Sequence, residues 1–144
     1  MRDFSVDPST FCLEIAESAL LDDLDATSDA LHALKDLGVQ LAIDDFGTGG
    51  SSLTYLRRFP FDELKVDRMF VEGLGRSAAD DAIVAATIDM AHALGMVVAA
   101  EGVETEEQRL RLLDLGCDRA QGYHLAPPED LTPRRLVLVE QQPA

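Results

Sequence analysis

Hydrophobic and polar positions along the chain change period several times, and each change marks an element boundary. Residues 11–16, Phe-Cys-Leu-Glu-Ile-Ala, alternate as a strand does. Leu24, Leu31, Leu34 and Leu37 then recur at helical spacing, and Gly38 follows as a stop, which predicts a helix over 24–37. A second strand is expected over 40–45. Ser51 is placed to cap a short helix running to Arg58, and Pro60 ends that segment. A third strand follows over 63–67, a long helix over 78–94 closed by Gly95, and a fourth strand over 96–100. Thr105, with Glu107 and Gln108 in the first turn, caps the next helix, which Gly116 ends. Residues 118–122 read as a weaker fifth strand. Pro127-Pro128 then breaks the chain before an apolar stretch at 136–139, and 141–144 read as a frayed tail.

Strands alternating with helices imply parallel pairing through right-handed crossovers. Two architectures fit that rhythm: an open doubly wound sheet, and part of a (β/α)8 barrel. Side-chain parity separates them, because neighbours along a strand point to opposite faces. Leu13 and Ile15, Leu41 and Ile43, Leu64 and Val66, and Val98 and Ala100 share an aliphatic face. Cys12, Glu14 and Ala16, Ala42 and Asp44, Lys65 and Asp67, and Ala99 and Glu101 share the other. Under helices, polar groups on one face of four strands would be badly desolvated. Inside a barrel they collect at the C-terminal mouth, where catalytic groups of such barrels sit. Parity therefore favours an α/β partial (β/α)8 TIM-type barrel of about five parallel strands.

Composition adds limits. The 144 residues carry 12 basic and 27 acidic side chains, a formal charge of −15, with 47% apolar residues. Such a surface does not suit a DNA or RNA polymer, whose phosphates need clustered Lys and Arg. A small anionic ligand remains compatible if a metal ion supplies positive charge. Cys12 and Cys117 have no metal-type spacing, and their apolar surroundings predict buried, reduced thiols suited to the cytoplasm. The start, Met1-Arg2-Asp3-Phe4-Ser5, has no apolar segment of the secretory kind. Residues 82–100 look apolar enough for a membrane, but Asp89, His92 and Gly95 divide them into helix and strand, so no membrane contact is expected.

Asp44-Asp45-Phe46-Gly47-Thr48-Gly49 is the strongest local feature. Adjacent carboxylates raise each other's pKa unless a cation neutralises them, and a hard divalent ion is the usual cause. Glu14 and Glu101 stand near equivalent strand ends, with Glu17 and Glu104 three residues further on. Glu14, Asp44, Asp45 and Glu101 together point to a metal site, and two bridged ions are compatible with so many acids. Lys65 reads either as an ion-pair partner of Asp67 or Glu63, or as a lysine that orients the attacking water. Gln121 reads as a substrate contact or an inter-strand bridge. His32 is expected on a helix surface, His92 at the core edge and His124 near the mouth. The glycine turn lacks a following Lys-Ser or Lys-Thr, which excludes a P-loop, and no serine sits in a nucleophile elbow.

In order, Leu13-Glu14-Ile15-Ala16-Glu17-Ser18, Asp44-Asp45-Phe46-Gly47-Thr48-Gly49, Leu64-Lys65-Val66-Asp67-Arg68, Ala100-Glu101-Gly102-Val103-Glu104-Thr105 and Gln121-Gly122-Tyr123 resemble the bacterial EAL domain from about residue 11 to 128. That family is a modified (β/α)8 barrel that hydrolyses the second messenger cyclic di-GMP to linear pGpG with two Mg2+ or Mn2+ ions. The resemblance implies a first-metal ligand at Glu14, a bridging carboxylate at Asp44, and second-metal ligands at Asp45 and Glu101. It implies that Lys65 holds the nucleophilic water, that Gln121 lies near that water, and that Gln121 and Tyr123 contact substrate. Glu17 resembles the residue that pins the loop after the acid pair, a loop linked in the family to homodimerisation, and Glu104 is a second loop-stabilising acid.

Three departures are visible: Ala16 where Thr is usual, Gly50 in place of an aromatic residue, and Pro127 at a position often basic. The family's Glu-Ala-Leu strand and a metal-binding Asn would lie before residue 1. Residues 1–144 are therefore expected to be one C-terminal segment of the domain, with little activity alone. A second expectation is a non-catalytic nucleotide-binding or dimerisation module of the same origin. A phosphoacceptor receiver domain fits less well, because Lys65 follows the acid pair on the very next strand.

Overall fold

A computed structural model describes residues 7–20, 24–48 and 53–127, except for the side chains of 53–55. The Ser51 cap, Gly50, the apolar stretch at 136–139 and the tail at 141–144 lie outside the described residues. Among those described, the strands are β1 (Cys12–Ala16), β2 (Gln40–Phe46), β3 (Glu63–Val66), β4 (Val97–Ala100) and β5 (Arg119–Ala120). The helices are α1 (Leu24–Asp36), α2 (Leu53–Arg58), α3 (Arg68–Val71), α4 (Ala78–Ala93) and α5 (Glu106–Asp114). Short 3-10 turns occupy Pro8–Thr10 and Glu17–Leu20.

All five strands pair in parallel, in the order β1-β2-β3-β4-β5. A doubly wound sheet reverses its order at a switch point, whereas a barrel adds each strand beside the last. The monotonic order thus agrees with the barrel reading. Register keeps the aliphatic residues together: Leu13 faces Leu41, Ile15 faces Ile43, Ile43 faces Leu64, and Leu64 faces Val98. Leu41, Ile43, Leu64 and Val98 are fully buried, with Leu31, Val84, Ile88, Ala91 and Leu112 of the helices in the same core.

Three differences from the sequence expectation have local causes. The third strand stops at Val66, because Asp67 accepts from the Met69 N–H at 2.7 Å and caps α3. The β2–β3 register slips between Ile43 and Phe46, so β2 carries one extra residue there. Asp45 takes it up at φ +55, a left-handed conformation uncommon outside glycine. Cys12 is exposed rather than buried, and Cys117 is half-buried. Cys12 sits on β1, which pairs with β2 on one side and has no second neighbour among the described residues.

Two strand starts are tied down alike. Asp62, just before β3, accepts from the Leu41 N–H at 2.8 Å and from Lys35 of α1 at 2.7 Å. Asp118, just before β5, accepts from the Val98 N–H at 2.8 Å and pairs with His92 of α4 at 2.8 Å. His92 is thus an exposed clasp residue rather than a core-edge one, and His32 is exposed as expected. The α4 helix ends at Ala93, and no described helix is long and apolar enough to cross a membrane.

Candidate active site

The C-terminal ends of β1, β2, β3 and β4 bring their polar residues to one place. Lys65 is 5% exposed at the centre. Its ammonium lies 2.8 Å from Glu14 Oε2 and 3.3 Å from Asp44 Oδ1, and pairs directly with Glu101. Burial disfavours the charged lysine, but hydrogen bonds to Glu101 and Glu14 outweigh it and hold the pKa above the usual lysine value. Glu63 pairs with Arg119 instead and Asp67 caps α3, so the ion-pair partners of Lys65 are Glu14, Asp44 and Glu101 rather than Asp67 or Glu63. Gln121, just past β5, donates to Glu101 Oε1 at 2.7 Å, so that oxygen receives both Lys65 and Gln121.

Asp45 stands apart from this convergence. Its left-handed backbone turns it outward, where it is exposed and in contact with the Asp67 carboxylate. The neighbouring Asp44 charge, then loss of solvation, then Asp67 push its pKa up. Phe46 can return to the core only because the bulge absorbs Asp45. Glu17 is 3% exposed, and its carboxylate accepts from the Gly47 N–H at 2.9 Å. That contact ties the first turn after β1 to the loop after the acid pair. Close packing holds the same loop, since a Cβ on Gly47 would lie 3.2 Å from the Phe70 ring.

Beside Glu101 opens a cavity of about 390 Å³, walled by Arg68, Glu104, Gln121 and Tyr123 among others. Tyr123 is strongly exposed there. His124 turns away to Glu106, at 2.8 Å, in the first turn of α5. With Arg109 it holds the Glu106 carboxyl down to about 2. Pro127 is exposed at the end of the described chain. Sequence reasoning gave no role to Arg68, which lies next to the helix-capping Asp67, and a capping signal before an apolar run was the clue available.

The donor set suits a hard divalent ion. It consists of carboxylate oxygens, and Asp44 Oδ1 is buried without a hydrogen bond although the Lys65 ammonium is close. Among the described residues no group of three His, Cys, Asp or Glu side chains is placed to hold a metal ion, and the lysine ammonium takes the point where the acids converge.

The chain belongs to the EAL domain family, whose pattern matches residues 2–128. It is 46% identical over 124 residues to the bifunctional diguanylate cyclase/cyclic di-GMP phosphodiesterase MucR of Pseudomonas aeruginosa, covering 86% of this chain and 18% of MucR. It is 41% identical over 128 residues to the cyclic di-GMP phosphodiesterase RocR of the same organism, covering 89% of this chain and 33% of RocR. The MucR phosphodiesterase in complex with c-di-GMP superimposes with a TM-score of 0.81, over 86% of this chain and 50% of that one. Klebsiella pneumoniae BlrP1, solved with manganese and c-di-GMP, gives a TM-score of 0.77 at 38% identity, over 82% of this chain and 30% of that one. The chain thus spans half or less of each of these relatives.

Proposed function

We propose that these residues form part of a metal-dependent centre that hydrolyses cyclic di-GMP to linear pGpG. The observation that carries this reading is the meeting of Glu14 of β1, Asp44 of β2 and Glu101, just past β4, around Lys65. Glu14, Asp44 and Glu101 would hold divalent ions, Mg2+ or Mn2+, and Asp45 would join them on the outer side. Bound ions would supply charge for the scissile phosphate and activate water. Lys65, released from the acids as metal enters, would keep a proton donor beside the reacting oxygen. Gln121 would orient water and substrate from the rim, and Tyr123 offers an exposed aromatic face on which a guanine can stack. BlrP1, a relative solved with manganese and c-di-GMP, supports the choice of metal class and ligand.

The test is calorimetry of the purified chain with cyclic di-GMP in Ca2+, followed by chromatography of products in Mn2+. Binding is expected, weakened about 10–100-fold or more in Asp44→Asn and Glu101→Gln. Absence of binding in the unaltered chain would overturn the reading. Full turnover would show that the residues present suffice for catalysis, against the expectation of little activity alone. Tight binding with no pGpG would assign the chain as a nucleotide-binding module.

A further inference from the structure

Arg68 begins α3, three residues after Lys65, and its side chain lies against the loop after β4. Its stem lies over Gly102: a Cβ there would sit 2.5 Å from Arg68 Cγ, and Gly102 takes φ +71. Beyond the glycine, Arg68 Nη2 reaches Glu104 Oε1 at 3.0 Å, while Nε donates to Glu72 Oε1 at 2.7 Å. The segment it covers follows Glu101 directly. It is also held by the Glu101 N–H to Val66 O at 3.1 Å, the Val103 N–H to Gln121 O at 3.0 Å, the His124 N–H to Val103 O at 3.0 Å and the Glu104 N–H to Gln108 Oε1 at 2.8 Å, none of which ties it to α3. Arg68 also walls the cavity that Glu101 and Gln121 line.

We infer that Arg68 is a positioning residue: it clasps the loop after β4 to the start of α3 and so fixes Glu101 relative to Lys65. The planar guanidinium meets two carboxylates from different elements, which a point charge could not do with the same geometry. The clasp is solvent-exposed, at 57% for Arg68 and 43% for Glu104, and such pairs add little to global stability. Its effect is therefore on placement. The metal-binding arm of the test rests on the proposed function; the clasp itself does not.

The experiment compares the full chain with Arg68→Ala, Arg68→Lys and Glu104→Gln by amide hydrogen exchange, thermal unfolding and titration with Mn2+ alone. Arg68→Ala is expected to speed exchange at Gly102, Val103 and Glu104 about tenfold and to weaken Mn2+ binding about tenfold, with little change in melting temperature. Glu104→Gln is expected to do the same in smaller measure. Arg68→Lys keeps the stem and the charge and is expected to recover part of both effects. Unchanged exchange at 102–104 would overturn the clasp. Faster exchange with unaltered Mn2+ affinity, or a general loss of stability with exchange rising throughout the chain, would overturn the positioning role. If the unaltered chain bound no Mn2+, the metal reading would fall, and exchange at 102–104 would still decide the clasp.

Discussion

Lys65 occupies a position where two physical demands meet. Its backbone belongs to a buried strand, and its ammonium answers three carboxylates that would otherwise repel one another. Lys65→Met is expected to destabilise the metal-free chain by about 1–3 kcal/mol, less than loss of a fully buried pair because Glu14 is half exposed. Added Mn2+ should then raise the melting temperature of the variant more than that of the unaltered chain; equal shifts would count against shared use of these acids. Strand parity made this convergence legible in the sequence, since Glu14, Asp44, Lys65 and Glu101 occupy one face by alternation alone. Asp45 was not legible in that way. Its departure depends on a bulge whose left-handed residue is not glycine, and no local pattern marks such a site. Cys12 was misjudged for a related reason: apolar neighbours in sequence do not bury a residue on a strand with a single partner among the described residues. Burial of Cys117 and desolvation of Cys12 both push the thiols up. Alkylation should therefore be slow at neutral pH and, once the pH is raised, faster at exposed Cys12, as peptide mass mapping would show.

Helix ends show how much local chemistry carries. Thr105 accepts from the Gln108 N–H at 3.2 Å, and Gln108 Oε1 accepts from the Thr105 N–H at 3.0 Å, a reciprocal box readable from the sequence. Gln108 also accepts from the Glu104 N–H at 2.8 Å, so the cap reaches into the loop that bears Glu101. Thr105→Ala is expected to cost about 1 kcal/mol in denaturant unfolding. The four-residue α3 escaped the periodic reading because it is shorter than the repeat that reveals a helix. Its Asp67 looked like the last residue of a strand and is instead a cap. The fifth strand shrank to two residues; at its start the Asp118 carboxylate takes the Val98 N–H.

At the scale of the molecule, the order of strands was legible because side-chain parity favoured the barrel, in which each strand is laid beside the last. The core follows from it, and Leu64→Ala, at a fully buried central position, is expected to cost about 2–5 kcal/mol. Acid sensitivity belongs to this scale as well. The His92 contact and the Val98 N–H depress the pKa of Asp118 below its ordinary 3.8. A depressed carboxylate pKa stabilises the fold fully above the unfolded value, and that contribution fades as pH falls through the folded one. Asp118→Asn should therefore lower the melting temperature above about pH 4, with the gap to the unaltered chain closing as pH drops further; a gap independent of pH would contradict this. The internal counter-charge at Lys65 has a consequence for folding. One ammonium among three carboxylates lets those strand ends come together while still leaving them net negative, so folding of this part of the chain need not await a cation.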